Sequence, residues 1–339
     1  MKKKIIYGIL LILLLAGGLI AWKIFGPTVS APEGKYLYIK ASETYSEVKT
    51  TLLEQKIISS EFFFDRLAKQ LKYTNAVKAG RYEIRNGMSL FSLVRMLRSG
   101  KQSPVNLIIT KLRTKEDLAQ KIAANFECDS ASFISVINND DSLRKYGLDS
   151  NTAMTAVIPN TYSIPWNTPP NKIFKKLFTE KEKFWNEERT KKATALNMTP
   201  EQVYTMASIV EEETNKEEDK GKIASVYINR IQSGQRLEAD PTIKFALRNF
   251  GLKRIRESHI HAAAASRYST YSNTGLPPGP ICTPSSKTID AVLNAPVTNY
   301  LFFVARPDRS GLSNFTDSYQ EHMINARNYQ HYLDSINIK

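Results

Sequence analysis

The chain has 339 residues, 42% of them hydrophobic, with 15 glycines and 15 prolines. This excludes a disordered polymer and leaves room for two or more domains with buried cores. The formal charge is +14, yet lysine and arginine are scattered, with no arginine-rich arm and no nucleic-acid motif. That argues against DNA or RNA as a partner and suits a surface meeting anionic lipid or anionic wall polymer.

Cys128 and Cys282 are the only cysteines and lack metal-ligand spacing. Two free thiols and one disulfide are both compatible with them. The four histidines, His259, His261, His322 and His331, form no H-E-x-x-H arrangement, so neither a metal nor a cofactor is expected.

The chain opens MKKKIIYGILLILLLAGGLIAWKIFG, three lysines ahead of an uncharged apolar run from Ile5 to Trp22. At helical rise the run is long enough to cross a bilayer. Residues 1–27 therefore read as a transmembrane anchor. Lys2, Lys3 and Lys4 stay cytoplasmic, and everything after Pro27 lies outside the cytoplasmic membrane. The alternative is a signal peptide cleaved near Val29-Ser30-Ala31, but signal h-regions are usually shorter.

Three segments then align without gaps: YIKASETYSEVKTTL from Tyr38, EIRNGMSLFSLVRML from Glu83 and IITKLRTKEDLAQKI from Ile108. In each, an isoleucine (Ile39, Ile84, Ile109) precedes by five positions a hydroxyl residue (Thr44, Ser89, Thr114) fit to cap a helix. Apolar pairs follow at helical spacing: Val48 and Leu52, Leu93 and Leu97, Leu118 and Ile122. With a further helix at SSEFFFDRLAKQL, the order strand, helix, helix, strand over residues 36 to 100 resembles wall-binding modules of the LysM type. A small α+β domain without a ligand fits the same pattern. Residues 36–149 are taken as one domain on this basis.

A second domain, 150–339, opens with AVIPNTYSIPWNTPP, an ordered connection carrying Tyr162 and Trp166, followed by a charged helix from Asn171 to Leu196. The next helix starts at Thr199-Pro200-Glu201-Gln202, a capping box with proline in the first turn. Its register puts Val203, Met206, Ala207 and Val210 on the buried face, Glu212 in water, and Glu211 and Glu213 at the two rims. The acids from Glu211 to Asp219 also fit the solvated end of a helix.

Downstream, Asp240 in Ala239-Asp240-Pro241-Thr242 reads either as the cap of a helix ending at Gly251 or as a catalytic carboxylate. The stretch Tyr268 to Tyr271 with Gly275-Leu276-Pro277-Pro278-Gly279 reads as a rigid loop bearing aromatic faces, or as a packed turn with core tyrosines. Tyr268, Thr270, Tyr271, Gly275, Pro277 and Pro278 are its candidate substrate-binding residues.

The motifs ASIVEEET (from Ala207), IASVYINRIQSGQRLEADPTI (from Ile223), YSTYSNTGLPPGPICTP (from Tyr268) and YLFFVA (from Tyr300) resemble, in order and spacing, those of the MltG (YceG-like) endolytic murein transglycosylases. The resemblance implies an α+β protein: a single-pass inner-membrane enzyme with a LysM-like subdomain and a catalytic domain outside the cytoplasm. Such an enzyme cuts nascent peptidoglycan strands internally, and peptidoglycan synthases are implied partners. It points to the first glutamate after ASIV, Glu211, as catalytic. Two segments depart from the family: MTAVIPNTY has Asn160 at the usual Asp and no Glu upstream, and Gly311-Leu312-Ser313-Asn314-Phe315 replaces G-x-H-x-F.

Ordinary glycosidases need two carboxylates. A lytic transglycosylase can use one, which protonates the glycosidic oxygen and then takes the proton of the muramic acid C6 hydroxyl as that hydroxyl attacks C1. The expected assignment is Glu211 as this acid, with Glu213 and Asp240 as supporting candidates. A hydrolase pairing Asp240 with Glu211, and a non-catalytic wall-binding scaffold, are the competing readings.

Overall fold

The computed structural model describes residues 2–335. The chain divides into two units. The first runs to Leu107 and takes in Ala124–Cys128 and Ser163–Pro169; the second holds Ile108–Ala123, Asp129–Tyr162 and the chain from Pro170 onward. The expected single boundary near residue 150 gives way to this interleaved division.

In the first unit, helix α1 (Lys2–Phe25) has the apolar side chains of its main run in the open, from Ile5 at 58% exposed to Trp22 at 54%. Pro27 cannot continue a helix, and the Gly26 N–H closes the last turn on Trp22 O at 2.8 Å. Val29 then enters the core, its N–H bonded to Met88 O at 3.0 Å.

Strand β1 (Tyr36–Ile39), helix α2 (Tyr45–Glu54), helix α3 (Glu61–Gln70) and strand β2 (Gly80–Glu83) follow, with β1 and β2 antiparallel and Tyr36 opposite Glu83. Gly87, at φ +81, makes the turn into helix α4 (Leu90–Ser99). Thr44 and Ser89 cap α2 and α4 through their side chains, and Val48, Leu52, Leu93 and Leu97 are buried with Leu37, Ile39, Tyr82 and Ile84. Strand β3 (Val105–Ile108) carries the chain toward the second unit.

There the third strand–helix copy continues as helix α5 (Lys115–Ala123), with Thr114 and Asp117 exchanging backbone-to-side-chain bonds of 3.0 and 2.9 Å across its first turn. Its buried Leu118 and Ile122 explain why it leaves the other copies: α5 packs on helix α6 (Ser130–Ile137). A short helix α7 (Asp140–Arg144) and strand β4 (Thr161–Ile164) follow.

The single charged helix expected from 171 to 196 is two, α8 (Pro170–Phe184) and α9 (Glu187–Ala195). The break falls where Asn186 caps the Arg189 N–H at 3.0 Å. Helix α10 (Pro200–Glu213) and helix α11 (Glu217–Gln232) form the centre of this unit. Helix α12 (Asp240–Ala246) stops at Leu247, short of the expected Gly251, as Arg248 turns to φ +52. Helices α13 (Glu257–Ala262) and α14 (Ser286–Leu293) precede an antiparallel pair, β5 (Phe302–Ala305) with β6 (Ser313–Thr316), and helix α15 (Tyr319–Ser335).

Candidate active site

Helix α10 starts as its sequence dictates, with Thr199 and Gln202 forming the capping box and Pro200 in the first turn. It does not bury a single stripe. Every residue from Val203 to Val210 is buried, because α9, α11, α12 and α14 all pack against it. The polar atoms this encloses are paired, as buried hydroxyls must be. Tyr204 donates to Val157 O at 2.5 Å; Ser208 Oγ donates to Thr205 O at 2.6 Å and accepts the Ile281 N–H at 3.0 Å. The Cys282 thiol is buried, 3.3 Å from Ser208 O, and not in a disulfide. The ASIV and ICTP segments are therefore one hydrogen-bonded block.

The helix then ends on three glutamates with three different environments. Glu212 was expected in water, and that expectation is corrected: its side chain is 13% exposed and lies 2.9 Å from Lys111 Nζ and 3.0 Å from Arg113 Nη2. Those cations are held over the helix because Thr283 bonds Leu112 through both its N–H and its hydroxyl, at 2.8 and 2.9 Å. Nothing local in the sequence connects residues 171 positions apart.

Glu211 faces α11 and α14. Its Oε2 accepts from the hydroxyls of Thr288 and Ser285, the latter at 3.2 Å, and meets Lys220 Nζ at 3.4 Å. Its side chain is 16% exposed and that of Lys220 only 5%. Ser285 is also the N-cap of α14. The carboxyl thus sits at the N-terminal end of α14 beside a buried ammonium, with Oε2 engaged by three partners.

Glu213 turns the other way, into a cleft of about 290 Å³ that it lines together with Asp240, Tyr271, Phe303 and His322. The Tyr227 hydroxyl donates to its Oε1 at 2.7 Å. Burial pushes the Glu213 carboxyl up from 4.5 to about 7; the Tyr227 bond works against this, and the Asp240 charge adds to it. The Tyr271 hydroxyl donates to Asp240 Oδ1 at 2.7 Å. Burial and Asp240 together drive that phenol well above its ordinary range.

On the cleft wall, burial and the nearby Arg230 hold His322 below the ordinary imidazole value, so it is neutral at neutral pH. Its ring stacks on Phe302 at 5.1 Å. Glu238, another lining residue, adopts φ +52, a left-handed conformation that side chains rarely take, and its carboxylate is 3.2 Å from Arg230. Arg230 also binds the carbonyls of Leu237 and Leu301, at 3.0 and 2.7 Å, which fixes this edge of the cleft.

Asp240 is not the cap of α12. It occupies the first turn with its side chain in the cleft, and no side chain caps that helix. Thr270 is buried behind it, 2.9 Å from Thr242 Oγ1 and accepting the Ala239 N–H at 3.0 Å. Tyr268 packs its ring on Phe245 at 4.7 Å.

Gly275, Pro277 and Pro278 line a different groove of about 450 Å³, with Met198 and Ile231. Gly279 pins the loop, since a Cβ there would lie 2.1 Å from Asn151 O. Of the expected site residues, the cleft gathers Glu213, Asp240 and Tyr271, and Glu211 is not in its lining. Tyr227, Arg230, Glu238, Phe303 and His322 were not singled out from the sequence. The signals for Tyr227 and Arg230 were their place in the IASVYINRIQSGQRLEADPTI motif and a phenol and a guanidinium in the largely apolar stretch from Ile223 to Ile231, each needing a partner.

The sequence profile of the YceG-like family matches residues 37–328. An endolytic murein transglycosylase of Bacillus subtilis (strain 168) is 26% identical over 305 residues, covering 84% of this chain and 81% of that one. An endolytic murein transglycosylase of Streptococcus pneumoniae serotype 2 (strain D39) is 26% identical over 315 residues, covering 82% of this chain and 54% of that one. This chain thus spans about half the length of the pneumococcal relative. The crystal structure of a yceG-like protein from Listeria monocytogenes, 25% identical, matches with a TM-score of 0.56 over 86% of this chain and 99% of that chain. With the family profile running from the first strand of the first unit to the last helix of the second, the chain belongs to the YceG-like family.

Proposed function

We propose that this chain is an endolytic murein transglycosylase, a lyase that cleaves the MurNAc-GlcNAc β-1,4 bond within peptidoglycan strands, and that Glu213 is its proton donor. The observation that carries this reading is a carboxyl raised to about 7 at the wall of a cleft. At neutral pH a large fraction of it holds a proton, as a general acid requires.

Protonation of the glycosidic oxygen by Glu213 lets the C1–O bond break with the electron pair leaving on the departing sugar. The Glu213 carboxylate so formed takes the proton of the muramic acid C6 hydroxyl, whose oxygen bonds to C1. The 1,6-anhydro end forms without water, and the acid is regenerated. Asp240 supports the protonated state and offers negative charge toward the positive character that develops at C1. Tyr271, Phe303 and the neutral His322 supply ring faces for the sugars. Glu211, whose carboxylate is already engaged by a buried lysine and two hydroxyls, acts as a brace between α10, α11 and α14.

Mass spectrometry of glycan strands treated with the protein tests this. Anhydro ends are expected; reducing ends would indicate the two-carboxylate hydrolase, and unchanged strands the scaffold.

Helix α1 supports a single membrane pass with both units on the side opposite the lysine cluster. Retention of α1 is supported by Val29: cleavage after Ala31 would strip a buried residue and its backbone bonds from the first unit's core. The order β1, α2, α3, β2 supports a wall-binding role of the LysM kind, which deletion of residues 36–100 followed by peptidoglycan pull-down would test. Peptidoglycan synthases are the proposed partners, with strand termination as the outcome.

A further inference from the structure

The junction between α1 and the first unit is braced. Thr28 Oγ1 donates to Lys23 O at 3.1 Å, Ile24 packs against the unit's core, and the Phe25 ring lies 5.4 Å from that of Phe91 at the start of α4. Lys23 and Phe63 share the wall of a small crevice with Leu90, so the N-terminal ends of α3 and α4 both adjoin the end of α1. A helix held this way transmits its own orientation to the unit it carries.

The apolar run of α1 ends at Trp22. At about 1.5 Å rise per residue, Phe25 stands only about 4.5 Å further along. The polar layer on each face of a bilayer is roughly 5–7 Å deep. Phe25 and its partner Phe91 therefore fall at headgroup depth once α1 crosses the membrane.

From Phe91, Arg95 and Arg98 continue at helical spacing along α4, and the three residues line a groove of about 420 Å³ with Leu71 and Ser99. Both arginines are exposed, and among the described residues neither makes a salt bridge. Helical side chains lean toward the N-terminal end of their helix, which on α4 is the end that carries Phe91. Phe62, 70% exposed with its ring 5.4 Å from Phe63, adds an aromatic side chain near the same end, as membrane interfaces favour.

We propose that the Phe91, Arg95 and Arg98 groove is a headgroup site for an anionic phospholipid of the leaflet that α1 exits. The phosphate is bound by the two guanidiniums, and the glycerol and upper acyl carbons rest on Leu71 and Phe91. The site sets the tilt of the first unit above the membrane. This rests on reading α1 as a membrane anchor.

The test uses the full chain in nanodiscs of equal phosphatidylglycerol and phosphatidylcholine, moved into mild detergent, with retained lipid identified by native mass spectrometry. Wild type is expected to retain phosphatidylglycerol preferentially, and the pair Arg95→Gln with Arg98→Gln to lose roughly 30-fold of that preference. Glutamine is a good helix former, so α4 should persist; circular dichroism checks this. Arg95→Lys with Arg98→Lys should keep most of the preference. Lys172→Gln with Lys175→Gln, an equal loss of charge on the exposed face of α8, should keep all of it. An equal preference in wild type and the glutamine pair, or an equal loss in the α8 control, overturns the lipid site while leaving the anchor standing. A chain that fails to enter nanodiscs overturns both.

Discussion

Glu211 and Glu213 leave the same turn of one helix, are the same residue type, and are each largely hidden from water, yet their surroundings differ in kind. Around Glu211 are an ammonium, two hydroxyls and a helix N-terminus, which hold its Oε2 in place. Glu213 has one phenol and a nearby carboxylate at the edge of a cleft, and its desolvation is left largely uncompensated. At Glu213 burial outweighs both the Tyr227 bond and the Lys244 charge, which work against it.

The largest expected effect comes from removing the proton. Glu213→Gln should lower anhydro-muropeptide release by a factor on the order of 100 to 10,000, with the far-ultraviolet circular dichroism unchanged. The same substitution should alter the pH dependence of stability. A carboxyl raised from 4.5 to about 7 favours the folded state fully below the unfolded value of 4.5. That advantage is lost as pH rises through about 7, at a cost of about 3 kcal/mol. Urea titrations from pH 5 to pH 8 should show this slope in wild type and its flattening in the variant.

Glu211→Gln should do the reverse, damaging the fold more than the chemistry. Lys220, 5% exposed, would keep only Glu217 at 2.7 Å, itself 56% exposed. A loss of about 2 kcal/mol in urea unfolding is expected, with the rate per folded molecule within about threefold of wild type. A collapse of the rate in a stable Glu211→Gln protein would invert the comparison.

Smaller shifts sharpen it. Asp240→Asn removes a charge that raises the Glu213 value, so the alkaline limb of the pH–rate profile should move to lower pH, with a several-fold loss at pH 7 on the order expected for one nearby charge. Tyr227→Phe removes the bond that lowers the value, so its alkaline limb should move slightly upward.

The local parts of this structure were legible in the sequence. Thr44, Ser89, Thr114 and Thr199 do cap the helices their positions announce, since capping depends only on residues within one turn. The apolar pairs of the three copies are buried as their spacing required. Where reasoning from one helix failed, the cause was what packs around it. Helix α10 is enclosed on every side, so a helical wheel could not rank its three glutamates. Lys111 and Arg113 reach Glu212 through a contact about 100 positions away in the chain, and Tyr227 reaches Glu213 only once α10 and α11 have paired. Asp240 reads as a cap because Asp-Pro-Thr so often is one, and only the fold shows its carboxylate accepting from Tyr271 instead.

The most direct test of the central claim is a side-chain 13C NMR titration of the full chain labelled at glutamate carboxyl carbons, with the Glu213 resonance assigned by its absence in Glu213→Gln. This one carboxyl should titrate near 7, and the alkaline limb of strand cleavage should follow the same midpoint. A Glu213 carboxyl titrating in the ordinary range near 4.5, with cleavage still strong at neutral pH, would contradict it.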